Sequence, residues 1–302
     1  MRLVKDCYGI KYYLKKIFGI EIKDSFFEVL IVGYYTIFKR GQVGVNKRNK
    51  RNRKLIVSMT SIPDRINKTW ITIESLFRQT YKPDRIILWL SKEEFKNFPL
   101  PSALKTQQKR GLQIKYCDNL MSYKKIYYTA KENPNSYIVT VDDDIIYAEN
   151  MLEELVRTYK QNQGCIICNR SHYMEKRGGS LSSYDKWLKY EERKCIDGKP
   201  SFHNFFTGCG GTLFPVSLMD RKFLDKDAFL VLAPYADDVW LNFCAWLSNI
   251  KVVNTKGFLG HVIEIQSSST KGLVRINVLY KKNDEQIEKV LRHFEIDIQK
   301  YL

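Results

Sequence analysis

The sequence predicts an α/β fold: a mostly parallel sheet flanked by helices, with a basic helical segment ahead of it. Three observations lead there. Short apolar runs alternate with stretches of helical spacing from residue 54 onward. Those runs are apolar at consecutive positions rather than at every second one, the pattern of strands covered on both faces. The charge is lopsided: residues 1–54 hold 14 Lys/Arg against 4 Asp/Glu, whereas the other 248 residues carry only +7 of the net +17. That imbalance places the basic character in one segment and argues against a general nucleic-acid coat.

The first expected unit is 1–53, a basic and apolar segment that either associates with a membrane or packs on the rest. Its apolar run SFFEVLIVGYYTIF, residues 25–38, contains Glu28 and is shorter than the roughly 20 residues a spanning helix needs. KRGQVGVNKRNKRNRK, residues 39–54, follows with eight Lys/Arg and no acid. Apolar then polybasic sequence suits an anionic membrane surface, where each base adds about 1 kcal/mol. A helix packed on the domain and followed by a solvated linker is the plainer alternative. No early apolar core leads to a small-residue cleavage site, so no secretory leader is expected. Seven cysteines at irregular spacings, one pair within CIIC, lack a second metal-ligand pair and read as free thiols in a reducing compartment.

The second unit, 54–302, carries the sheet. LIVSMTS (55–61) reads as a buried strand entering a loop. Residues 68–80 place Trp70, Ile73, Leu76 and Phe77 at helical spacing. DRIILWLS (84–91) and LQIKYCD (112–118) are the next strands, and a helix runs through KKIYYTAKEN. YIVTV (137–141) is the fourth strand, a helix covers 148–162, and CIICNR (165–170) is the fifth. The pattern loosens from about 170 to 235. A helix opens near Ala236 with Val239, Phe243, Trp246 and Leu247 on one face, KVVNT forms a strand, and 283–294 reads as a polar surface helix. The unit is expected to divide into two halves, 54–147 and 148–302, the second with the C-terminal tail.

YIVTVDDDIIY, residues 137–147, drives a buried strand into three consecutive carboxylates. Adjacent carboxylates repel and are costly to desolvate, so a positive partner is expected. On an extended chain Asp142 and Asp144 face one way and Asp143 the other. Such a pair suits a hard divalent cation, Mn2+ or Mg2+, that keeps positions open for phosphates. A solvated acidic turn is the alternative, and the apolar Ile145 and Ile146 stand against it.

The run resembles the D-x-D motif of the GT-A glycosyltransferases. IVSMTSIPDRI with SLFRQTYKPDRIILWLS, NFFTGCGGTLFP and PYADDVWLNFCA resemble other blocks of a bacterial branch that makes surface polysaccharides. The resemblance spans about residues 54–283 and implies a GT-A-like, Rossmann-type fold. It implies Asp144 as metal ligand, Asp142 on the ribose, base or metal, and Asp143 assisting. Thr60, Ser61 and Arg65 would line the nucleotide site, Arg65 meeting a phosphate. An acidic pair at a helix start would supply the base for inverting transfer, Asp238 first and Asp237 second. N-capping is the alternative for these two, and accounts for one more readily than both.

Gly208, Gly210 and Gly211 would let backbone approach donor and acceptor closely, though the G-K-[ST] ending of a P-loop is absent. His261 is a candidate third metal ligand. Arg170 and His172 follow the fifth strand near the crevice, and Lys271 and Arg275 are candidates for a lid over the diphosphate. The expected function is metal-dependent sugar transfer from a nucleotide-diphosphate-sugar to a glycan or lipid-linked glycan, by a cytoplasmic enzyme peripheral at the inner membrane face, with no nucleic-acid partner. Two other classes remain open: a metal-dependent phosphotransferase or nuclease using the same carboxylates, and a non-catalytic membrane adaptor acting through 39–54.

Overall fold

A computed structural model describes residues 2–38, 41, 43–47, 50–187, 198–255, 262–266 and 282–302. The chain opens with helices α1 (Leu3–Phe18) and α2 (Asp24–Ile37). The strands β1 (Leu55–Thr60), β2 (Arg85–Ser91), β3 (Leu112–Cys117) and β4 (Tyr137–Thr140) follow. Between them lie α3 (Pro63–Ile66), α4 (Thr69–Phe77), α5 (Ser102–Lys109) and α6 (Lys124–Glu132). After β5 (Ile145–Ile146) and α7 (Met151–Gln161) come β6 (Ile166–Cys168), β7 (Ser171–Tyr173), β8 (Lys176–Arg177) and β9 (Ser180–Leu181). Then follow β10 (Asn204–Phe206), β11 (Thr212–Pro215), α8 (Lys226–Leu232), α9 (Asp237–Leu247), β12 (Val252–Asn254), β13 (Ile263–Glu264) and α10 (Lys282–His293).

Seven strands make one sheet in the order β12-β6-β11-β4-β1-β2-β3. All neighbours are parallel except β11, which runs antiparallel to both β4 and β6. The continuous apolar strands do what two-sided burial requires. In β1, Leu55, Val57 and Met59 enter one core, and Ile56 faces the other side with Ile87 and Trp89. A second core, on the aromatic residues of α6, β10 and α9, fills the later half.

Strand register positions the site. Parallel β1 and β4 end at the same edge of the sheet, where ligands bind in such folds. Thr212, first residue of β11, lies opposite both Thr140 and Cys168. The residues after Thr140, those after Cys168 and the glycine loop before Thr212 therefore meet at that edge. Three separated stretches of sequence become neighbours through two antiparallel pairings.

The segment ahead of the sheet is packed on its inner side. Val4, Cys7 and Tyr8 of α1 and Phe27, Ile31 and Tyr35 of α2 form a core with Ile71, Ile146, Ile263 and Ile265. Buried Glu149 accepts the backbone N–H groups of Val4 and Lys5, each at 3.0 Å, and so satisfies donors left open at the start of α1. Glu28 accepts from the Gln266 N–H at 2.8 Å and from Lys68 at 2.9 Å, which explains an acid inside an apolar run. The outer side is different: ten of the fifteen large apolar side chains exposed among the described residues lie between Ile10 and Phe38. Packing and a free apolar face are both present, on opposite sides of one hairpin.

Two local expectations need correction. Helix α10 is not merely on the surface; Ile287 and Val290 enter the core beside α9, and Gln286 accepts the Tyr235 N–H at 2.9 Å. The alternation expected for the aspartates ends early, because β4 stops at Thr140 and residues 143–144 form a turn. Six cysteines are free thiols, as expected; Cys195 lies outside the described residues.

Candidate active site

The positive partners demanded by the acidic run are an arginine and a lysine. Arg65, on short α3 directly after β1, places one guanidinium nitrogen 3.0 Å from Asp143 and 2.9 Å from Asp144. Asp143 also accepts from the Ser61 hydroxyl, and its backbone carbonyl accepts from Thr72 at 2.9 Å. Asp143 is thus the buried clamp that ties the acidic turn to the β1 loop and α4. Burial pushes its carboxyl up, and Arg65 and Ser61 pull it back. Asp144 is more open, and its carboxyl is pushed up to about 7 by burial and by the adjacent Asp143 and Asp142, with Arg65 opposing.

Asp142 faces elsewhere. It accepts from the Lys125 ammonium at 2.8 Å, while the same ammonium lies 3.4 Å from Asp237. Lys125 is buried on α6, where Ser58 also donates to its backbone carbonyl. Burial alone would lower the ammonium, but the two carboxylates outweigh it and hold the lysine well above its usual range. The Asp142 N–H donates to the Tyr147 hydroxyl at 2.9 Å, and that hydroxyl donates to the Cys209 carbonyl at 3.1 Å. Sequence reading missed Lys125 and Tyr147. Nothing in KKIYY marks one lysine as buried, whereas Tyr147, three residues past Asp144, was within reach.

Asp237 and Asp238 open α9 behind Ala236, which makes no side-chain cap. Neither aspartate occupies the N-cap position, so plain capping does not account for the pair. Asp238 accepts the Val239 N–H at 2.9 Å, and burial with the neighbouring Asp237 pushes its carboxyl up to about 7.

The glycine loop borders this group. A Cβ on Gly208 would lie 3.4 Å from the Lys125 nitrogen and 3.7 Å from both carboxylate oxygens of Asp142. A Cβ on Gly210 would approach Arg170 to 2.8 Å, and Gly211 has φ +87° with Met151 beneath it. Gly210 and Gly211 are therefore required by close packing, and Gly208 is the one that opens onto the carboxylates. Arg170 donates to Thr207 at 2.9 Å, bracing the loop.

Other expected residues are placed as follows. Thr60 donates to the Trp89 carbonyl at 2.9 Å, and Ser61 is buried against Thr69 and Asp143. His172 is buried on β7 with its ring edge-on to Tyr184. His261, Lys271 and Arg275 lie outside the described residues. Among the described residues no cluster of three or more His, Cys, Asp or Glu side chains is arranged as a metal cage. Asp142 and Asp144 supply hard oxygen donors, the type Mn2+ and Mg2+ accept alongside phosphate and water.

No family model and no curated protein matches the chain. Solved structures do. The mannosyltransferase PcManGT from Pyrobaculum calidifontis, in complex with GDP-Man and Mn2+, aligns over 95% of this chain and 76% of its own, at 14% identity and a TM-score of 0.52. TarS residues 1–349 from S. aureus, in complex with UDP, aligns over 80% and 72% at 13% identity and a TM-score of 0.45. A cytidylyltransferase from Leptospira borgpetersenii aligns over 79% and 97% at 13% identity and a TM-score of 0.43. The first of these likenesses, with the sheet order and flanking helices, shows that this chain has a GT-A-type α/β fold.

Proposed function

We propose that the protein is a divalent-metal-dependent glycosyltransferase that moves a sugar from a nucleotide-diphosphate-sugar to a glycan or lipid-linked glycan acceptor, with inversion. The observation that carries this reading is the convergence of Asp142, Asp144, Asp237 and Asp238 at one sheet edge, with Lys125 joining the first pair to the second. The fold shared with a mannosyltransferase that binds GDP-Man and Mn2+ supports the donor class and the metal.

Asp144 and Asp142 would hold Mn2+ or Mg2+, which when bound neutralises charge developing on the diphosphate leaving group. The protein's own residues do the rest. Lys125 fixes Asp142 and Asp237, so the donor carboxylate and the start of α9 move as one unit. Asp238 takes the acceptor hydroxyl's proton as that oxygen attacks the anomeric carbon. A carboxyl raised to about 7 suits a base working near neutral pH. Gly208 leaves room over Asp142 for the donor, and Arg65 would turn from Asp144 to a phosphate.

Among the described residues no helix is long and apolar enough to cross a membrane. A peripheral location on an anionic membrane face is supported by the exposed apolar side of α1 and α2 and by the basic stretch that follows, apart from Arg51, which pairs with Asp84 at 3.0 Å.

A screen of nucleotide-sugars for donor hydrolysis and for transfer to cell-envelope glycolipid extract, with Mn2+, Mg2+ or EDTA, tests the reading. Metal-dependent nucleotide release from one donor is expected, lost in Asp144→Ala. Asp238→Asn is expected to lower transfer by about 10²–10⁴ while sparing donor binding. No metal-dependent nucleotide binding by calorimetry, together with no hydrolysis, would sink it.

A further inference from the structure

A cavity of about 490 Å³ lies between α1 and the acidic turn's continuation into α7. Tyr8, Ile10 and Tyr13 line it from α1, and Tyr147, Met151 and Gly210 from the catalytic side. Its size is in the range of roughly 300–1,000 Å³ seen for small-molecule sites. Three features connect it to the site and to the surface. Tyr147 lines it, and the Tyr147 hydroxyl is the group that holds the Asp142 N–H and the Cys209 carbonyl. Ile10 and Tyr13 are half exposed and belong to the outward apolar stripe of the hairpin, so the cavity is continuous with that face. Gly9 also lines it, in the middle of α1, and a Cβ there would meet no atom within 4 Å.

Glycine inside a helix is unfavourable relative to alanine, and no tight contact demands it here. What its missing side chain does is keep the cavity wide. The geometry points to this cavity as the site for the hydrocarbon chain of a lipid-linked acceptor, entering from the apolar face of α1 and ending beside the glycine loop. The inference rests on the transferase reading and names its acceptor class. Lys5, Asp6, Asn150, Glu154 and Asn169 also line the cavity, but a hydrocarbon chain suits its aliphatic and aromatic part, Tyr8, Ile10, Tyr13, Tyr147 and Met151, where burial of apolar surface drives binding without directional partners. It would also bring the chain's head to the Gly210 end, next to the loop that borders Asp142.

The test is calorimetric binding of dodecyl phosphate below its micelle concentration, without donor, to wild type, Gly9→Ala and Gly9→Phe. Wild type is expected to bind, Gly9→Ala to stay close to it, and Gly9→Phe to lose at least about tenfold in affinity. Both variants should melt no lower than wild type, because each removes a helix-interior glycine. Absence of binding by wild type, or equal binding by Gly9→Phe, overturns the inference. Displacement of the probe by inorganic phosphate at matched concentration also overturns it, since the headgroup and not the chain would then be recognised. The measurement needs no turnover. A protein that binds the probe through this cavity yet neither hydrolyses a donor nor binds nucleotide with metal would lose the transferase reading and keep the cavity.

Discussion

Two cations hold the acidic residues, and they are built differently. Lys125 is buried between Asp142 and Asp237, carboxylates that come from opposite halves of the domain. Arg65 is a fifth exposed and spans Asp143 and Asp144, neighbours on one turn. A compact ammonium with two partners and only 4% exposure acts as a fixed post. A guanidinium at the rim, holding one buried and one open carboxylate, can release the open one at little cost because water can replace it. The molecule thus separates a permanent link, Lys125, from an exchangeable one, Arg65 to Asp144, with Asp143 anchoring the exchangeable side.

The largest expected effect comes from breaking the permanent link. Lys125→Met leaves Asp142 and Asp237 without their shared cation; removing one member of a fully buried ion pair costs about 3–5 kcal/mol, an upper bound here because Asp142 is 30% exposed and only the lysine is fully enclosed. Urea unfolding would read this directly. Adding Asp142→Asn to that variant should recover part of the loss, and no recovery would show that the lysine matters by packing alone. Arg65→Ala should cost less, about 1–3 kcal/mol, since Ser61 still donates to Asp143 and Asp144 is open to water. If the two variants unfold alike, the contrast between post and exchangeable link is wrong.

A subtler effect is pH dependence. The carboxyls of Asp144 and Asp238 are raised to about 7, above their unfolded value near 4. Over that window the folded state binds more protons than the unfolded one, so stability falls as pH rises from about 4 to about 7. Asp144→Asn should flatten part of that decline, and Mn2+ should raise the melting temperature more at pH 8 than at pH 5. A melting temperature that climbs steadily from pH 4 to pH 7 without metal would contradict it. Lys125 stays charged across this range, so its link should not respond.

The smallest effect on the fold is expected on the hairpin's outer face. Ile37 and Val29 are 75% and 71% exposed. Ile37→Asp with Val29→Asp should leave unfolding unchanged while weakening sedimentation with anionic vesicles by at least about tenfold. Unchanged vesicle binding would assign the attraction to the basic stretch alone.

Much of this was legible in the sequence. Consecutive apolar positions in LIVSMTS and DRIILWLS specify strands covered on both faces, because a one-sided strand cannot bury them all. Three aspartates after such a strand demand compensating charge wherever the chain goes next, since like charges cannot be desolvated together without it. The pair opening α9 could be located from helical spacing alone. Local pattern determined these features because each depends on residues a few positions apart.

What only the tertiary structure decided is which groups meet. Antiparallel β11 brings the glycine loop to the aspartates through the Thr212–Thr140 pairing, and no local pattern announces the direction of that strand. Of the two lysines in KKIYY, Lys125 joins Asp142 to Asp237 because α6 and α9 pack on the same face of the sheet. The turn that ends β4 gives Asp143 and Asp144 a common partner where an extended chain would have set them apart. In each case the deciding interaction joins residues distant in sequence, and its strength depends on burial that exists only once the chain has packed.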